Sequence, residues 1–373
     1  MDSRVFVSDF NKEEYLNIKH TLRFNKEGKF RILFLGDPHG GVETHPQVFP
    51  AIETVVKATN PDLVLFPGDI SGCNIGVSTE EELVTYLNEL VAYLEANKIP
   101  WAHVYGNHDD NLGVALEKQQ AIYESYAYCV SKSGPEYLDG VGNYVLPILA
   151  SNSDEPVFNV WGLDSHNDNT NFKKDYGLGD EVVIRLRNPI GDGGGNDNAR
   201  FNQIEWYMNT SKSIENTYGR KIPAILYQHI PLPEYSIIPR NAYVCRMEGN
   251  LHDAICSNEL NFGLFASCLQ RGDVKGIFCG HEHLNDFTGV YCGIRLSYCG
   301  GINYDCGCRD DIRGGRVVDI DEKDPWNFKT YMVKLQSLIG DEGNRRERSS
   351  FGLHEEDYFR QLRKQREAER TAK

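Results

Sequence analysis

From residue 31 onward, short apolar runs alternate with amphipathic stretches, and each run closes in a small cluster of Gly, Asp, Asn or His. Such a chain is constrained to an α/β fold, because buried strands read as short apolar blocks while the helices that cover them keep one apolar face. Residues 31–35, 63–67 and 101–105 are predicted strands, each followed by a glycine: Gly36, Gly68 and Gly106. Further strands are expected at 144–149, 157–163, 222–228, 274–279, 287–291, 294–298 and 316–320. Helices are expected from a Ser78/Glu81 capping box to about Ala96, over 202–218 and over 260–271. The mixture predicts an α/β sandwich of two sheets flanked by helices.

The chain has 373 residues, 40% of them apolar, enough for one large α/β domain or two ordinary ones. We expect an N-terminal extension over 1–30, a single catalytic domain over 31–335 and a charged C-terminal tail over 336–373. The polar, Gly-rich stretch between Ser165 and Arg200 is expected to be a long surface loop. A formal charge of −15 with no basic stripe argues against a nucleic-acid partner. No apolar stretch is long enough for a signal peptide or a membrane span, so the expected location is cytoplasmic and no membrane partner is expected. Ten cysteines in a chain of this length are expected to be mostly reduced and buried, with a disulfide or zinc site in the Cys292, Cys299, Cys306, Cys308 cluster as the minority reading. Oligomeric state leaves no signature in the sequence.

The metal-capable residues fall at the strand ends. Gly36-Asp37-Pro38-His39 follows the first strand, Gly68-Asp69 the second and Gly106-Asn107-His108-Asp109 the third. Gln228-His229 and Gly280-His281-Glu282-His283 follow two later ones. Carboxyl ends of strands share one rim in open α/β sheets, so motifs far apart in sequence converge on one crevice. Carboxylate, amide oxygen and imidazole suit first-row metals, and a bridging carboxylate, for which Asp69 is the candidate, holds two ions about 3.5 Å apart. Each motif alone is weak, since Gly-Asp after a strand is usually a turn; the ordered set is not. Of eleven histidines, His20, His45, His103, His166, His252 and His354 are assigned surface or packing roles.

The order Asp-x-His, Gly-Asp, Gly-Asn-His-Asp, His, Gly-His-x-His resembles the calcineurin-like metallophosphoesterases, over roughly 31–320. The resemblance implies a four-layer α/β/β/α sandwich of two mixed β-sheets flanked by helices, the metallophosphoesterase fold. It implies one metal held by Asp37, His39, Asp69 and His283 and a second by Asp69, Asn107, His229 and His281, with His108 as a catalytic non-ligand. Fe, Mn and Zn all suit these ligands. The run from Gly280 to Phe287, followed by Tyr298-Cys299-Gly300-Gly301, together with His229-Ile230-Pro231-Leu232-Pro233-Glu234, looks like the short purple-acid-phosphatase-like proteins of plants and their fungal relatives. Purple acid phosphatases proper place a metal-binding tyrosine three residues after the bridging aspartate; here that position is Gly72. The arginine-bearing segment that follows this aspartate in calcineurin-type protein phosphatases is also absent.

The expected activity is hydrolysis of phosphate monoesters, from a small molecule or a phosphoprotein, by attack of a metal-bound hydroxide. Asn107 and His108 are expected to contact substrate, and Asp109 or another carboxylate to act with His108 by fixing its tautomer. The competing readings are a phosphodiesterase acting on cyclic nucleotides or nucleotide-type diesters, and a metal-retaining binding protein without catalysis.

Overall fold

Alternation along the strands sorts the interior into three apolar layers. The computed structural model describes residues 10–72, 77–167, 196–258, 260–304 and 306–344. In chain order the strands are β1 (Leu22–Arg23), β2 (Lys29–Phe34), β3 (Leu63–Pro67), β4 (Trp101–Val104), β5 (Tyr144–Leu149), β6 (Pro156–Gly162), β7 (Ala224–Tyr227), β8 (Val274–Cys279), β9 (Thr288–Tyr291), β10 (Ile294–Tyr298), β11 (Gly314–Asp321) and β12 (Lys329–Lys334). They form a seven-stranded sheet ordered β1-β5-β6-β7-β8-β10-β9 and a five-stranded sheet ordered β12-β11-β2-β3-β4. Both are mixed. β2, β3 and β4 run parallel in one, and β6, β7, β8 and β10 in the other, with antiparallel strands toward the edges.

Ile32, Phe34, Leu63, Leu65, Ala102 and Val104 face the other sheet and meet Leu146, Ile148, Phe158, Val160, Ile225 and Phe278. The rings of Phe34 and Phe278 stack across this layer with centroids 4.7 Å apart. The intervening residues Leu33, Val64 and Phe66 point outward to Val48, Ile52 and Val55 of helix Val48–Thr59 and to Leu83 and Leu87 of helix Glu80–Leu90. On the far side, Trp161, Leu226 and Ile277 pack under helices Phe201–Tyr218 and Leu264–Arg271. A two-residue period therefore gives each sheet two apolar faces. The result is the four-layer α/β/β/α sandwich.

Several expectations shift. The capping box uses Thr79 and Glu82, one residue later than Ser78 and Glu81. The following helix ends at Leu90, and a separate short one spans Ala92–Ala96. The helix expected from residue 260 begins at Leu264. β1 pairs with β5 through Leu22 and Ile148, so the chain before residue 30 enters a sheet. Among the described residues eight cysteines are free, including Cys292, Cys299 and Cys308, whereas Cys306 is disulfide-bonded. Among the described residues no helix is long and apolar enough to cross a membrane. The Gly-rich stretch 168–195 and the charged tail from 345 lie outside the described residues.

Candidate metal centre

Because β2, β3 and β4 are parallel, the loops bearing Asp37 and His39, Asp69, and Asn107 and His108 leave the five-stranded sheet at one edge. β7 and β8 are likewise parallel, and bring His229, His281 and His283 to the facing edge. The turns out of these strands are sharp. Asp37, His39, Asp69 and His281 all take left-handed backbone conformations, with φ of 50°, 49°, 48° and 76°. For residues with a Cβ this costs on the order of 1 kcal/mol each and persists only where the surroundings enforce it. Here the main chain does so. The His39 N–H donates to the Asp69 carbonyl at 3.0 Å, Gly40 to Ile70 at 3.0 Å and Gly72 back to Gly40 at 3.1 Å. The side-chain amide of Asn303, beyond β10, donates to the Asp37 carbonyl at 2.9 Å.

Two sets of side chains result, each with ligand atoms within 4.8 Å of one another: Asp37, His39, Asp69 and His283, and Asp69, His229 and His281. Asp69 belongs to both. Its Oδ2 lies 3.4 Å from His39 Nε2 and 3.1 Å from His229 Nε2. His39 and His283 face one another with Nε2 atoms 2.7 Å apart, and Asn107 Oδ1 sits 3.0 Å from His229 Nε2. Asp37 Oδ2 is buried with no hydrogen-bond partner among the described residues. A concentration of inward-facing imidazole nitrogen and carboxylate oxygen of this kind fits divalent first-row ions.

The ring orientations agree with that fit. His229 Nδ1 is 2.8 Å from the Pro67 carbonyl, and His283 Nδ1 is hydrogen-bonded to the Cys306 carbonyl, so each ring donates outward through Nδ1 and turns Nε2 toward the centre. Burial drives His39 well below the ordinary imidazole range, lowers His283, and, with His229 nearby, brings His281 down to about 3. These three rings are neutral. Burial also opposes charge on His229, but Asp69 and Asp37 outweigh it and push the ring up to about 10. Burial acts to raise Asp69 too, yet His229 and His39 hold its carboxyl well below the usual carboxylate range. Asp37 goes the other way: burial raises it, and the attraction of His229 does not compensate.

His108 is half-buried at the edge of the first set, its ring centroid 5.1 Å from that of His39, and its N–H donates to Asp69 Oδ1 at 2.9 Å. The sequence assigns Asp109 to orienting the His108 ring. Its fully buried carboxylate instead accepts the Ser71 and Gly106 N–H groups, each at 2.9 Å, so it ties the loop after β3 to the loop after β4. Burial, reinforced by Asp69, raises this carboxyl to about 7. Two glycines make the approach of these loops feasible. A Cβ at Gly106 would lie 2.2 Å from Asp69 Oδ1, and one at Gly72, where φ is +104°, would lie 2.9 Å from both Cβ and O of His108. The missing tyrosine therefore has a steric reason: any side chain at position 72 drives into His108.

Among the histidines given packing or surface roles, His103 is buried and stacked on Tyr123 at 3.8 Å, and His45 stacks on Tyr304 at 5.3 Å. His166 differs, since it leaves β6 on the same rim with φ of 62° and lies 3.0 Å from Gln203 Oε1. Asn303 and Asn196, whose amide nitrogen is 3.1 Å from His281 Nε2, also belong to the surroundings of the centre and were not anticipated. Asn303 closes the run Gly300-Gly301-Ile302-Asn303 after a strand, the same signal that marked the other motifs.

Comparison with known proteins places this arrangement. The family model described as Calcineurin-like phosphoesterase matches residues 30–285. Among curated proteins the chain is 31% identical to Probable inactive purple acid phosphatase 29 of Arabidopsis thaliana, over 81% of this chain and 79% of that one. It is 28% identical to Probable inactive purple acid phosphatase 14 of the same plant, over 77% and 73%. It is also 28% identical to Phosphatase DCR2 of Saccharomyces cerevisiae, over 71% of this chain and 46% of the yeast protein. With the family model spanning more than half of its length, the chain belongs to the calcineurin-like phosphoesterases.

Proposed function

We propose that the chain, through the unit 31–335, is a two-metal phosphatase acting on phosphate monoesters. The observation that carries this reading is the single oxygen of Asp69 set between His39 Nε2 and His229 Nε2, at 3.4 and 3.1 Å. Asp37, His39, Asp69 and His283 would hold one ion, and Asp69, Asn107, His229 and His281 the other; Fe, Mn and Zn are the candidates. Two ions there supply Lewis acidity, lowering the pKa of water and neutralising phosphoryl charge. His108, at the exposed edge and pinned through its N–H to Asp69, would contact a phosphoryl oxygen and pass a proton to the departing alkoxide. Asn107 shares its loop and would face the substrate beside it. Asp109 acts through the backbone as a positioning residue.

The neighbouring cavity bears on the leaving group. It measures about 560 Å³, shares Gly106 and Asp110 with the catalytic loop, and is lined by Glu117, Asp139, Asp164 and His166 but by no Lys or Arg among the described residues. Such a wall repels any further anionic group on the leaving side of the substrate, so it disfavours substrates that carry more than one phosphate and suits a neutral or cationic leaving group. The test compares turnover of an aryl phosphate with that of the matching diaryl phosphate by the metal-loaded chain. We expect the monoester to dominate. Faster diester turnover would reverse the assignment, and no turnover of either with both ions bound would make the chain a metal-retaining protein without catalysis, as the names of its plant relatives say of them.

The location splits along the cysteines: eight free thiols among the described residues suit the cytoplasm, and the Cys306 disulfide suits an oxidising compartment. We propose the cytoplasm, and expect fractionation of intact cells to recover the chain with the cytosolic proteins; recovery with secreted or lumenal proteins would overturn this.

A further inference from the structure

Each imidazole in the centre needs an acceptor for its outward N–H, and the structure supplies two of them as main-chain carbonyls: Pro67 for His229 and Cys306 for His283. His281 is oriented differently. Its Nδ1 lies 3.3 Å from His229 Nε2 and so faces the centre, which leaves Nε2 to carry the proton in the neutral ring. The amide nitrogen of Asn196 is 3.1 Å from this Nε2, but the same nitrogen donates to the Cys256 carbonyl at 2.5 Å. A donor already committed to a carbonyl does not accept the ring N–H. The acceptor must come from elsewhere.

Glu282 sits between the two histidines in sequence, and its side chain is 3% exposed. Its Oε1 receives the Cys256 N–H at 2.8 Å and stands 3.8 Å from His281 Nε2, while the carboxyl also meets the buried Tyr298 hydroxyl and the Cys256 thiol. A carboxylate oxygen takes two hydrogen bonds, so Oε1, with one backbone donor, keeps a lone pair beside a buried ring N–H that needs an acceptor. Closing the gap to hydrogen-bond length takes a shift of about 1 Å.

We propose that Glu282 is a positioning residue that accepts the Nε2–H of His281, fixing that ring's tautomer and raising the basicity of its Nδ1 toward the ion shared by Asp69, Asn107 and His229. This rests on the two-metal reading above. Carboxylates that hold a metal-bound imidazole in this way contribute about 10- to 100-fold in metal affinity. The effect is specific to one ion, because His283, on the other side of Glu282, already has the Cys306 carbonyl.

The experiment is a competition titration of the full metal-free chain with Zn²⁺ against a chromophoric chelator, for wild type, Glu282→Gln and Asn196→Ala, with the thermal midpoint of each metal-free protein measured alongside. Glu282→Gln keeps an oxygen for the Cys256 N–H. We expect it to weaken one of two binding steps by at least tenfold, leave the other within about twofold and leave the metal-free midpoint unchanged, with Asn196→Ala weakening neither step. Should Glu282→Gln fail to fold, Glu282→Asp, which retains the carboxylate one methylene further away, is expected to weaken the same single step. Two unchanged steps in the glutamate variant overturn the proposal, as does a loss spread over both steps in parallel with a lowered midpoint, which marks a structural role. Loss in Asn196→Ala alone assigns the acceptor to Asn196 and also overturns it. A wild type that takes up fewer than two ions overturns the two-metal reading itself.

Discussion

The loops leaving the five-stranded sheet carry the two carboxylates of the centre and hold them with main-chain hydrogen bonds. The loops leaving the seven-stranded sheet carry three imidazoles and aim them through their ring nitrogens. On the first side Asp37, His39 and Asp69 sit in left-handed conformations, zipped together from His39 to Asp69, Gly40 to Ile70 and Gly72 to Gly40. On the second, only His281 has a positive φ, and the outward ring atoms of His229 and His283 decide where the lone pairs point. Carboxylate oxygens offer lone pairs in several directions, so an aspartate is placed well enough once its backbone is fixed; an imidazole offers one, and its tautomer must be fixed as well. The two rims therefore fail in different ways when they are altered.

The largest expected effect comes from the residue both sets share. Asp69→Asn is expected to lower turnover of an aryl phosphate by on the order of 10³-fold or more, the loss of several kcal/mol of charge stabilisation. A fall under tenfold would mean that the carboxylate is not common to two ions. His108→Ala is expected to cost about 10²-fold in kcat while metal content stays at the wild-type value, as for loss of a proton donor. Metal lost in step with activity would instead make His108 a ligand.

The main-chain zipper is probed by Asp109→Ala, which strands the buried N–H groups of Ser71 and Gly106. A loss of about 3 kcal/mol in unfolding free energy is expected, read from the urea midpoint at constant slope. An unchanged midpoint would show that this rim does not depend on that carboxylate. Gly72→Ala is expected to give the smallest change, about 1 kcal/mol for forcing a Cβ to φ of +104°, together with a drop in kcat rather than in metal content, because the new methyl group meets His108. Wild-type kcat in the Gly72→Ala variant would break the link between Gly72 and His108.

The same contrast explains what the sequence disclosed. β3 was legible because both faces are buried, so it reads as an uninterrupted apolar block, and β2 and β8 because their buried halves, Ile32–Phe34 and Ile277–Cys279, follow single charged residues at Arg31 and Lys275; β12 is an edge strand with exposed and half-buried residues, and β1 is two residues long, so neither leaves a block. Helix Val48–Thr59 went unread because Pro50, harmless in a first turn, looks like a breaker in sequence. The helix Leu116–Ser125 buries Gln119 and Gln120 and shows little apolar periodicity. Ser78/Glu81 and Thr79/Glu82 satisfy the same capping pattern, and only the structure chooses. In the site, residue identities followed from strand ends, but the atoms that aim them did not. The carbonyls of Pro67 and Cys306 belong to every residue type alike, and Asp109 looks catalytic because it adjoins His108 in sequence while its carboxylate turns toward the backbone of other loops.

The sharing of Asp69 between the two rims is tested most directly by a crystal of the metal-loaded chain measured at an absorption edge of the bound metal. Two anomalous peaks are expected about 3.5 Å apart on either side of Asp69 Oδ2, one facing His39 and His283, the other facing His229 and His281. A single peak, or two peaks of which only one lies against Asp69, would contradict it.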